Sequence, residues 1–288
     1  MRYFMYMFLI TSSAQAAVND VLPGDYFPLA TGKSSLAVYA FDRQSTGPYS
    51  KGAKLLDGNL STQIGVLRCA HFIMLGDTPI AMSAVLPWSQ NSVGPAPLAG
   101  LLGKEATGTG DLRIGATSWL LANRLSGEYV GVTGMLFMPT CAYNNRQALN
   151  TGENRYKFTL NAGWIRPLSN SLILEALPEL VWYGDNNDYV GGRTLAQKTS
   201  RSLTSYLRYR FNPNWQFHLG AQINRGGETQ LNGIDQNNAP DNARAMLGTT
   251  YLADDKTHQW MFRVAKDTVV RNGFMTGSEV LLRYQNMF

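Results

Sequence analysis

The chain has 288 residues, of which 44% are hydrophobic, and its formal net charge at pH 7 is +5. Beyond the N-terminus it contains no apolar run long enough for a transmembrane helix, which excludes a helical membrane protein. A membrane β-barrel stays open, because its lipid-facing residues alternate with polar ones along each strand. The positive excess is small and comes without a basic run, so the composition gives no reason to expect a nucleic-acid partner.

The first 16 residues have the pattern of a cleaved export signal. Arg2 supplies positive charge, residues 3–10 form a short apolar stretch, and Ala14-Gln15-Ala16 fits a small-x-small cleavage site. We therefore predict a signal peptide at 1–16. Residues 17–33, which include VLPGDYFPLATGK, are rich in Pro and Gly and predict an irregular periplasmic lead before the main domain at 34–288.

About twelve segments of the remaining chain are predicted as strands, each about as long as a tilted strand that crosses a bilayer. They are 34–43, 62–74, 78–88, 110–121, 128–138, 155–167, 171–183, 201–211, 214–224, 243–253, 257–266 and 278–288. Pro178 lies inside the seventh segment, where it cannot donate a ladder hydrogen bond, so we predict a bulge there.

The connections between these segments alternate between short turns and long loops. The short turns are 75–77, 123–127, 168–170, 212–213 and 254–256, and the long loops are 44–61, 89–109, 139–154, 184–200, 225–242 and 267–277. Turns at one end and loops at the other are typical of outer-membrane barrels, whose turns face the periplasm. We predict an all-β fold, a single antiparallel up-and-down transmembrane barrel of about twelve strands in a Gram-negative outer membrane.

One face of the better strands is polar and is predicted to line the lumen of the barrel. Its candidate residues are Asp111, Arg113, Lys157, Asn161, Glu175, Glu179, Tyr206, Arg208, Arg210, Gln216, His218, Gln222, Arg263, Glu279, Arg283 and Gln285. Charges of both signs occur, so they either brace a narrow lumen or form a selectivity field for anions. Met135, Phe137 and Met261 are apolar candidates for the same face.

The last segment places Leu282, Tyr284 and Phe288 on one face. Because every backbone group must be paired in lipid, this strand is expected to close onto the first. The ending resembles the C-terminal signature of outer-membrane barrels, and that resemblance implies recognition by the barrel assembly machinery.

Four stretches resemble the outer-membrane proteins of the phenol meta-degradation (MetA-pathway) family. They are DVLPGDYFPLATGKSSLAVYAFD (20–42), AVLPW (84–88), TGTGDLRIGATSWLL (107–121) and LLRYQNMF (281–288). The resemblance implies a channel in the cell outer membrane for passive uptake of small hydrophobic or aromatic compounds. It implies outer-membrane lipid and such solutes as partners, and it supplies no catalytic residues.

Two other classes of function stay open. A barrel enzyme acting on lipid needs Ser, His and Asn or Asp together, but His71, His218 and His258 have no nucleophile-elbow motif nearby. A structural or adhesive barrel would have a lumen plugged by bracing charges. We expect no cofactor and no metal site, and we expect Cys69 and Cys141 to be unpaired because the predicted strands hold them apart.

Overall fold

The computed structural model describes residues 21–288, so the predicted signal peptide lies outside the described residues. In chain order the elements are β1 (Ser34–Ser50), β2 (Ala53–Lys54), β3 (Asn59–Leu75), β4 (Thr78–Gly94), α1 (Ala96–Leu102), β5 (Glu105–Thr109), β6 (Leu112–Asn123), β7 (Glu128–Met138), β8 (Lys157–Pro167), β9 (Leu172–Tyr183), β10 (Asn186–Tyr189), β11 (Arg193–Gln197), β12 (Ser200–Arg210), β13 (Trp215–Gly226), β14 (Thr229–Leu231), β15 (Ile234–Asp235), β16 (Asp241–Leu252), β17 (His258–Val270) and β18 (Gly273–Met287).

Twelve of these strands form a closed antiparallel barrel, which confirms the predicted fold. Each pairs with the next in the order β1, β3, β4, β6, β7, β8, β9, β12, β13, β16, β17 and β18, and β18 pairs with β1. The closing register begins at Ser35↔Met287 and runs to Tyr49↔Gly273. The closed ladder leaves no barrel edge, so the backbone groups of the terminal strands are paired as lipid requires.

The connections divide the barrel into two ends, which we call the turn end and the loop end. The turn end carries 76–77, 124–127, 168–171, 211–214 and 253–257, and the long connections lie at the loop end. Three predicted loops are shorter than expected, and one of them is 89–109, because β4 continues to Gly94. β1 continues to Ser50, and β17 and β18 are joined by residues 271–272 alone, so the predicted loop 267–277 is a strand hairpin. The strand extensions at the loop end contain polar residues. They can do so because this part of the barrel lies beyond the membrane, where outward residues need not be apolar.

The predicted bulge at Pro178 is wrong. The register between β8 and β9 is the same on both sides of it, with Asn161↔Glu179 and Trp164↔Ala176 as Cα partners. On the side of β9 that faces β8, the pairs that would join residues 177–178 to residues 162–163 are absent. On the side that faces β12, Pro178 is in register with Leu203. The missing proline donor is therefore accommodated by a local gap in one ladder rather than by an extra residue.

The outward face of the barrel is apolar and exposed. Along β13 it carries Trp215, Phe217, Leu219 and Ile223, all exposed, and the inward face between them carries the buried His218. Near the turn end a cluster of outward rings marks the membrane boundary, with neighbouring centroids 4.9–5.8 Å apart: Trp215, Tyr251, Trp260 and Tyr284. Such aromatic belts are typical of the lipid–water interface.

The loops at the loop end have structure that the sequence did not predict. Strands β10, β11, β14 and β15 form a separate four-stranded sheet above the barrel. The short helix α1 buries Leu98 and Leu102 against Leu149 and Phe274. No helix of the described residues is long and apolar enough to cross a membrane. Leu102 of α1, Tyr189 of β10 and Leu195 of β11 line a cavity at this end of the lumen.

Candidate functional site

The residues predicted to line the lumen lie on the inward side of the barrel wall. Most are buried, and Arg210 is exposed because it lies at the turn end of β12. Asp111 differs from the others because it precedes β6, where its carboxylate accepts hydrogen bonds from the amides of Cys141 and Glu153. Phe137 and Met261 are buried inward, whereas Leu282, Tyr284 and Phe288 are exposed on the outward side.

The lead lies inside the turn-end half of the lumen, which differs from the irregular periplasmic chain expected from its sequence. Leu22 is completely buried and packs with residues such as Tyr39, Met261 and Leu281. The chain then leaves the lumen and enters β1, and the amide of Gly32 donates to the carbonyl of Phe72 at 2.7 Å. The sequence could not show this, because the apolar residues of the lead acquire their partners only when the barrel closes.

Tyr26 docks against two wall glycines. Gly131 and Gly163 are Cα partners on β7 and β8, and a Cβ atom built on them would lie 2.7 Å and 2.1 Å from the Tyr26 ring. The indole nitrogen of Trp119 donates to the carbonyl of Tyr26 at 2.8 Å. Because neither glycine has a side chain, the wall has a niche at this point that fits one aromatic ring of the lead.

Ion pairs and backbone hydrogen bonds hold the lead immediately before Tyr26. Asp25 accepts from Arg283 at 2.8 Å and from Arg68 at 3.1 Å. The amide of Gly24 donates to the carboxylate of Glu175, at 3.1 Å and 3.2 Å to its two oxygens, and Glu175 also pairs with Arg208. Several predicted lumen charges thus bind the lead rather than facing open water.

Among residues 21–288, the structure shows a larger and a smaller cavity in the lumen. The larger, about 210 Å³, lies at the loop end and is called the vestibule. Its aromatic lining is Phe137, Tyr143, Tyr183, Tyr189 and Phe274, and its basic lining is Arg43, Arg155, Lys157 and Arg244. The smaller, about 80 Å³, is called the lower cavity and lies against the lead, where Tyr26, Tyr39, Phe41, Val66, Val85 and Met135 line it.

Phe137 lies between the two cavities. Lys157, which lines the vestibule, and Arg113, which lines the lower cavity, are both 4.6 Å from the centroid of its ring. Beside it, Asn161 donates to Glu179 at 2.6 Å, again joining a residue of the lower cavity to one of the vestibule. This constriction combines an aromatic ring with two cations that are attracted to its face.

A buried ion-pair network braces the seam where the barrel closes. Glu279 on β18 accepts from Arg43 on β1 at 2.5 Å and from Arg263 on β17 at 2.7 Å. Arg244 reaches the same carboxylate at 3.5 Å and pairs with Asp267 at 2.9 Å. These contacts connect the first strand to the last three, so they support the bracing interpretation of the lumen charges.

A second network holds the loop between β7 and β8. Glu153 pairs with Arg155 at 2.5 Å and also with Lys157, and Arg155 lies 4.8 Å from the Tyr183 ring centroid. Burial opposes ionisation of Glu153, but the two cations outweigh burial and lower its pKa to about 2 from the ordinary 4.5. The carboxylate therefore stays charged and keeps the loop attached to the wall of the vestibule.

This lowered pKa predicts a pH dependence. The charged Glu153 stabilises the folded loop fully above pH 4.5 and loses its effect as the pH falls towards 2. Glu153→Gln should therefore increase hydrogen exchange in 139–156 at pH 7, while wild type and variant should converge near pH 2. A difference that is as large at pH 2 as at pH 7 would contradict this assignment.

Sequence reasoning missed several residues of the lumen. Arg43, Arg68 and Arg244 belong to it, but both faces of their segments carry apolar residues, so alternation alone could not orient them. The closing pair Arg43↔Glu279 shows how orientation could have been found, since opposite charges on paired strands point to the same side. Asp25 and Tyr26 gave no such signal.

Within residues 21–288, no group of three or more His, Cys, Asp or Glu side chains is arranged to hold a metal ion. The ring of His218 is buried edge-on to Tyr206, with centroids 6.1 Å apart, and His71 is exposed and contacts Ser34 near the turn end. Cys69 and Cys141 are free thiols.

Comparison with known proteins gives a matching family model and solved structures of similar fold. The family model described as "Putative MetA-pathway of phenol degradation" matches residues 43–284. The crystal structure of an outer membrane channel from Pseudomonas putida F1 aligns with a TM-score of 0.88 and 27% sequence identity, covering 93% of this chain and 100% of that chain. No curated protein matches the chain.

Two autotransporter domains are similar in fold alone. The β domain of Bordetella BrkA aligns with a TM-score of 0.56 and 12% identity, over 89% of this chain and 100% of that one. The transport unit of AIDA-I from Escherichia coli aligns with a TM-score of 0.52 and 8% identity, over 99% and 96% of the two chains.

Proposed function

The chain belongs to the family of the putative MetA-pathway of phenol degradation and is an outer-membrane β-barrel, and from this premise we propose that it is a channel for passive uptake of small hydrophobic or aromatic compounds. The related barrel from Pseudomonas putida F1 is an outer membrane channel. The observation that carries the proposal is the pair of cavities in the lumen, which lie on either side of the contact between Phe137 and Arg113.

The size and lining of the vestibule support this class of solute. Its volume of about 210 Å³ fits a single substituted ring, and small-molecule sites commonly combine apolar walls with a few polar groups. Tyr143, Tyr183 and Phe274 supply ring faces. The guanidinium of Arg155 has one buried nitrogen without a hydrogen-bond partner among residues 21–288, and it can donate to a hydroxyl or a carboxylate. A sugar would gain hydrogen bonds here but would leave the apolar wall unused.

Passage would proceed through the constriction. A solute ring in the vestibule can replace the Phe137 ring beside Lys157 and Arg113, so the cations keep an aromatic partner while Phe137 turns away. The solute then reaches the lower cavity, whose lining is partly apolar, and it leaves to the periplasm when the lead shifts or sideways into lipid. No step in this sequence forms or breaks a covalent bond.

Liposome swelling tests the proposal. Small phenols and aromatic acids should enter liposomes that contain the folded protein faster than sugars of similar size. Phe137→Ala should speed uptake of both solute classes and reduce the difference between them, because the constriction is widened. Phe217→Ala is the matched control, since that ring is exposed on the lipid-facing side.

Other outcomes would assign the barrel differently. Equal uptake of aromatics and sugars would show a general pore and remove the aromatic preference. No uptake of any solute by the folded protein would overturn the channel and favour a plugged barrel with an enzymatic or adhesive role. We also propose that Leu282, Tyr284 and Phe288 are read by the barrel assembly machinery, which Phe288 deletion would test through loss of membrane insertion.

A further inference from the structure

A row of charged side chains crosses the outward surface at the loop end. Arg201 on β12 and Arg225 on β13 are Cα partners, and both side chains are exposed. The next outward residues toward the turn end are Leu203 and Ile223, which belong to the apolar band. The two arginines therefore lie where the lipid-facing surface ends.

The positive charge of this row is only partly neutralised. Asp241 pairs with Arg225 at 3.0 Å and with Arg271 at 3.7 Å, so one carboxylate serves two guanidinium groups. Within the part of the chain that the structure describes, Arg201 forms no ion pair. Like charges directly opposite on paired strands repel each other, and an anion that bridges them removes the repulsion.

Neighbouring aromatic residues fix the level of the row in the membrane. Leu180, exposed and apolar, is the Cα partner of Arg201, and the exposed Trp182 lies two residues further along the same face of β9. Phe158 lies beside Trp182, with ring centroids 5.8 Å apart. Aromatic rings of this kind sit at the headgroup level of a bilayer, so Arg201 and Arg225 lie at that level too.

We propose that Arg201, Arg225 and Arg271 form a binding site for the phosphate groups of lipids in the leaflet at the loop end. The planar guanidinium fork matches two phosphate oxygens, and Arg is the side chain that provides such bidentate contacts. Leu180 lies beside Arg201, and Leu203 and Ile223 are the next outward residues toward the turn end, where the acyl chains of the same lipid begin. This site rests on the outer-membrane location and not on transport through the lumen.

Native mass spectrometry of the full-length protein in detergent tests the site. The lipids compared are lipid A with two phosphates and the same lipid A after enzymatic dephosphorylation, so the acyl chains are identical. The variant Arg201→Gln/Arg225→Gln removes two of the cations. The control Lys104→Gln/Arg124→Gln removes the same charge from exposed positions elsewhere. Heat-modifiable gel mobility reports whether each barrel is folded.

The expected result is binding of the phosphorylated lipid by wild type and by the control. The double variant should bind it about tenfold more weakly, because charge-assisted hydrogen bonds to phosphate are lost. Equal binding of dephosphorylated lipid, or an equal loss in the control, would overturn the proposal. So would complete displacement by inorganic phosphate at the concentration of the lipid, which would show a site for free anions. Both variants leave every Glu, Asp and Tyr residue of the protein unchanged. Folding and transport can therefore be measured as readouts that are independent of lipid binding.

Discussion

Removal of residues 21–30 is expected to raise the single-channel conductance of the barrel several-fold. A barrel of about eight strands is filled by its own side chains, whereas sixteen strands leave an open channel, so a lumen of twelve strands needs an additional segment to fill it. Here that segment is the lead, and Leu22 and Tyr26 are buried within the lumen. The measurement is planar-bilayer recording of the wild type and the deletion.

The same deletion should shift the selectivity towards anions. Asp25 neutralises Arg283 and Arg68, which remain in the wall when the lead is gone. Reversal potentials in a salt gradient report this shift. An unchanged conductance together with an unchanged selectivity would show that the lead leaves the lumen in the membrane, contrary to the packing described above.

A milder change at the wall should act in the same direction. Gly163→Ala places a Cβ atom 2.1 Å from the Tyr26 ring, so the ring must leave its niche, at a cost of about 1–3 kcal/mol for overpacking. Gly65→Ala is the matched control, because its Cβ atom meets no heavy atom within 4 Å. The first variant should increase conductance and expose the lead to protease, and the second should do neither.

Replacement of Glu279 by Ala is expected to destabilise the barrel by about 3–5 kcal/mol, the usual cost of removing one partner of a buried ion pair. The side chains of Glu279 and Arg263 are completely buried, and Arg43 is 8% exposed. Without the carboxylate, Arg43 and Arg263 would repel each other next to the seam between β1 and β18. Unfolding in guanidinium, followed by gel mobility in lipid vesicles, measures the change in free energy.

Two further variants separate charge from packing at the seam. Glu279→Gln keeps the shape and some hydrogen bonds, so its loss of stability should be smaller than that of Glu279→Ala. Glu105→Ala removes an exposed carboxylate at the loop end and should change stability by less than about 0.5 kcal/mol. Equal losses for Glu279→Ala and Glu105→Ala would show that the buried network does not stabilise the closed barrel.

The strands of the barrel could be predicted because each has a local signal. β7 begins and ends at the predicted residues, 128 and 138, and the boundaries of β8 and β9 differ by no more than two residues. Alternation is a property of a few consecutive residues, so it does not depend on what the strand pairs with. The predictions failed where pairing between strands determines the structure. Examples are the hairpin of β17 and β18 and the ladder beside Pro178.

The candidate site could be predicted only in part. Strands with one clearly polar face gave inward residues such as Lys157, His218 and Arg283, and these lie within the lumen. In strands that carry apolar residues on both faces, the inward orientation of Arg43 and Arg68 could not be predicted. The sequence also could not decide whether the charges brace the lumen or form a selectivity field. Bracing depends on distances between side chains of different strands, which the sequence of one strand does not give.

The sequence by itself determined the class of this protein: a chain whose alternating strands and segregated loops require a closed barrel in lipid. Local periodicity together with the alternation of short turns and long loops is enough for this, because unpaired backbone groups in a bilayer leave no other arrangement. Only the tertiary structure decided what fills the barrel. The niche of Gly131 and Gly163, the pairing of Asp25 and the position of Phe137 between two cavities all arise from residues far apart in the chain. Their contacts exist only after β18 has closed onto β1.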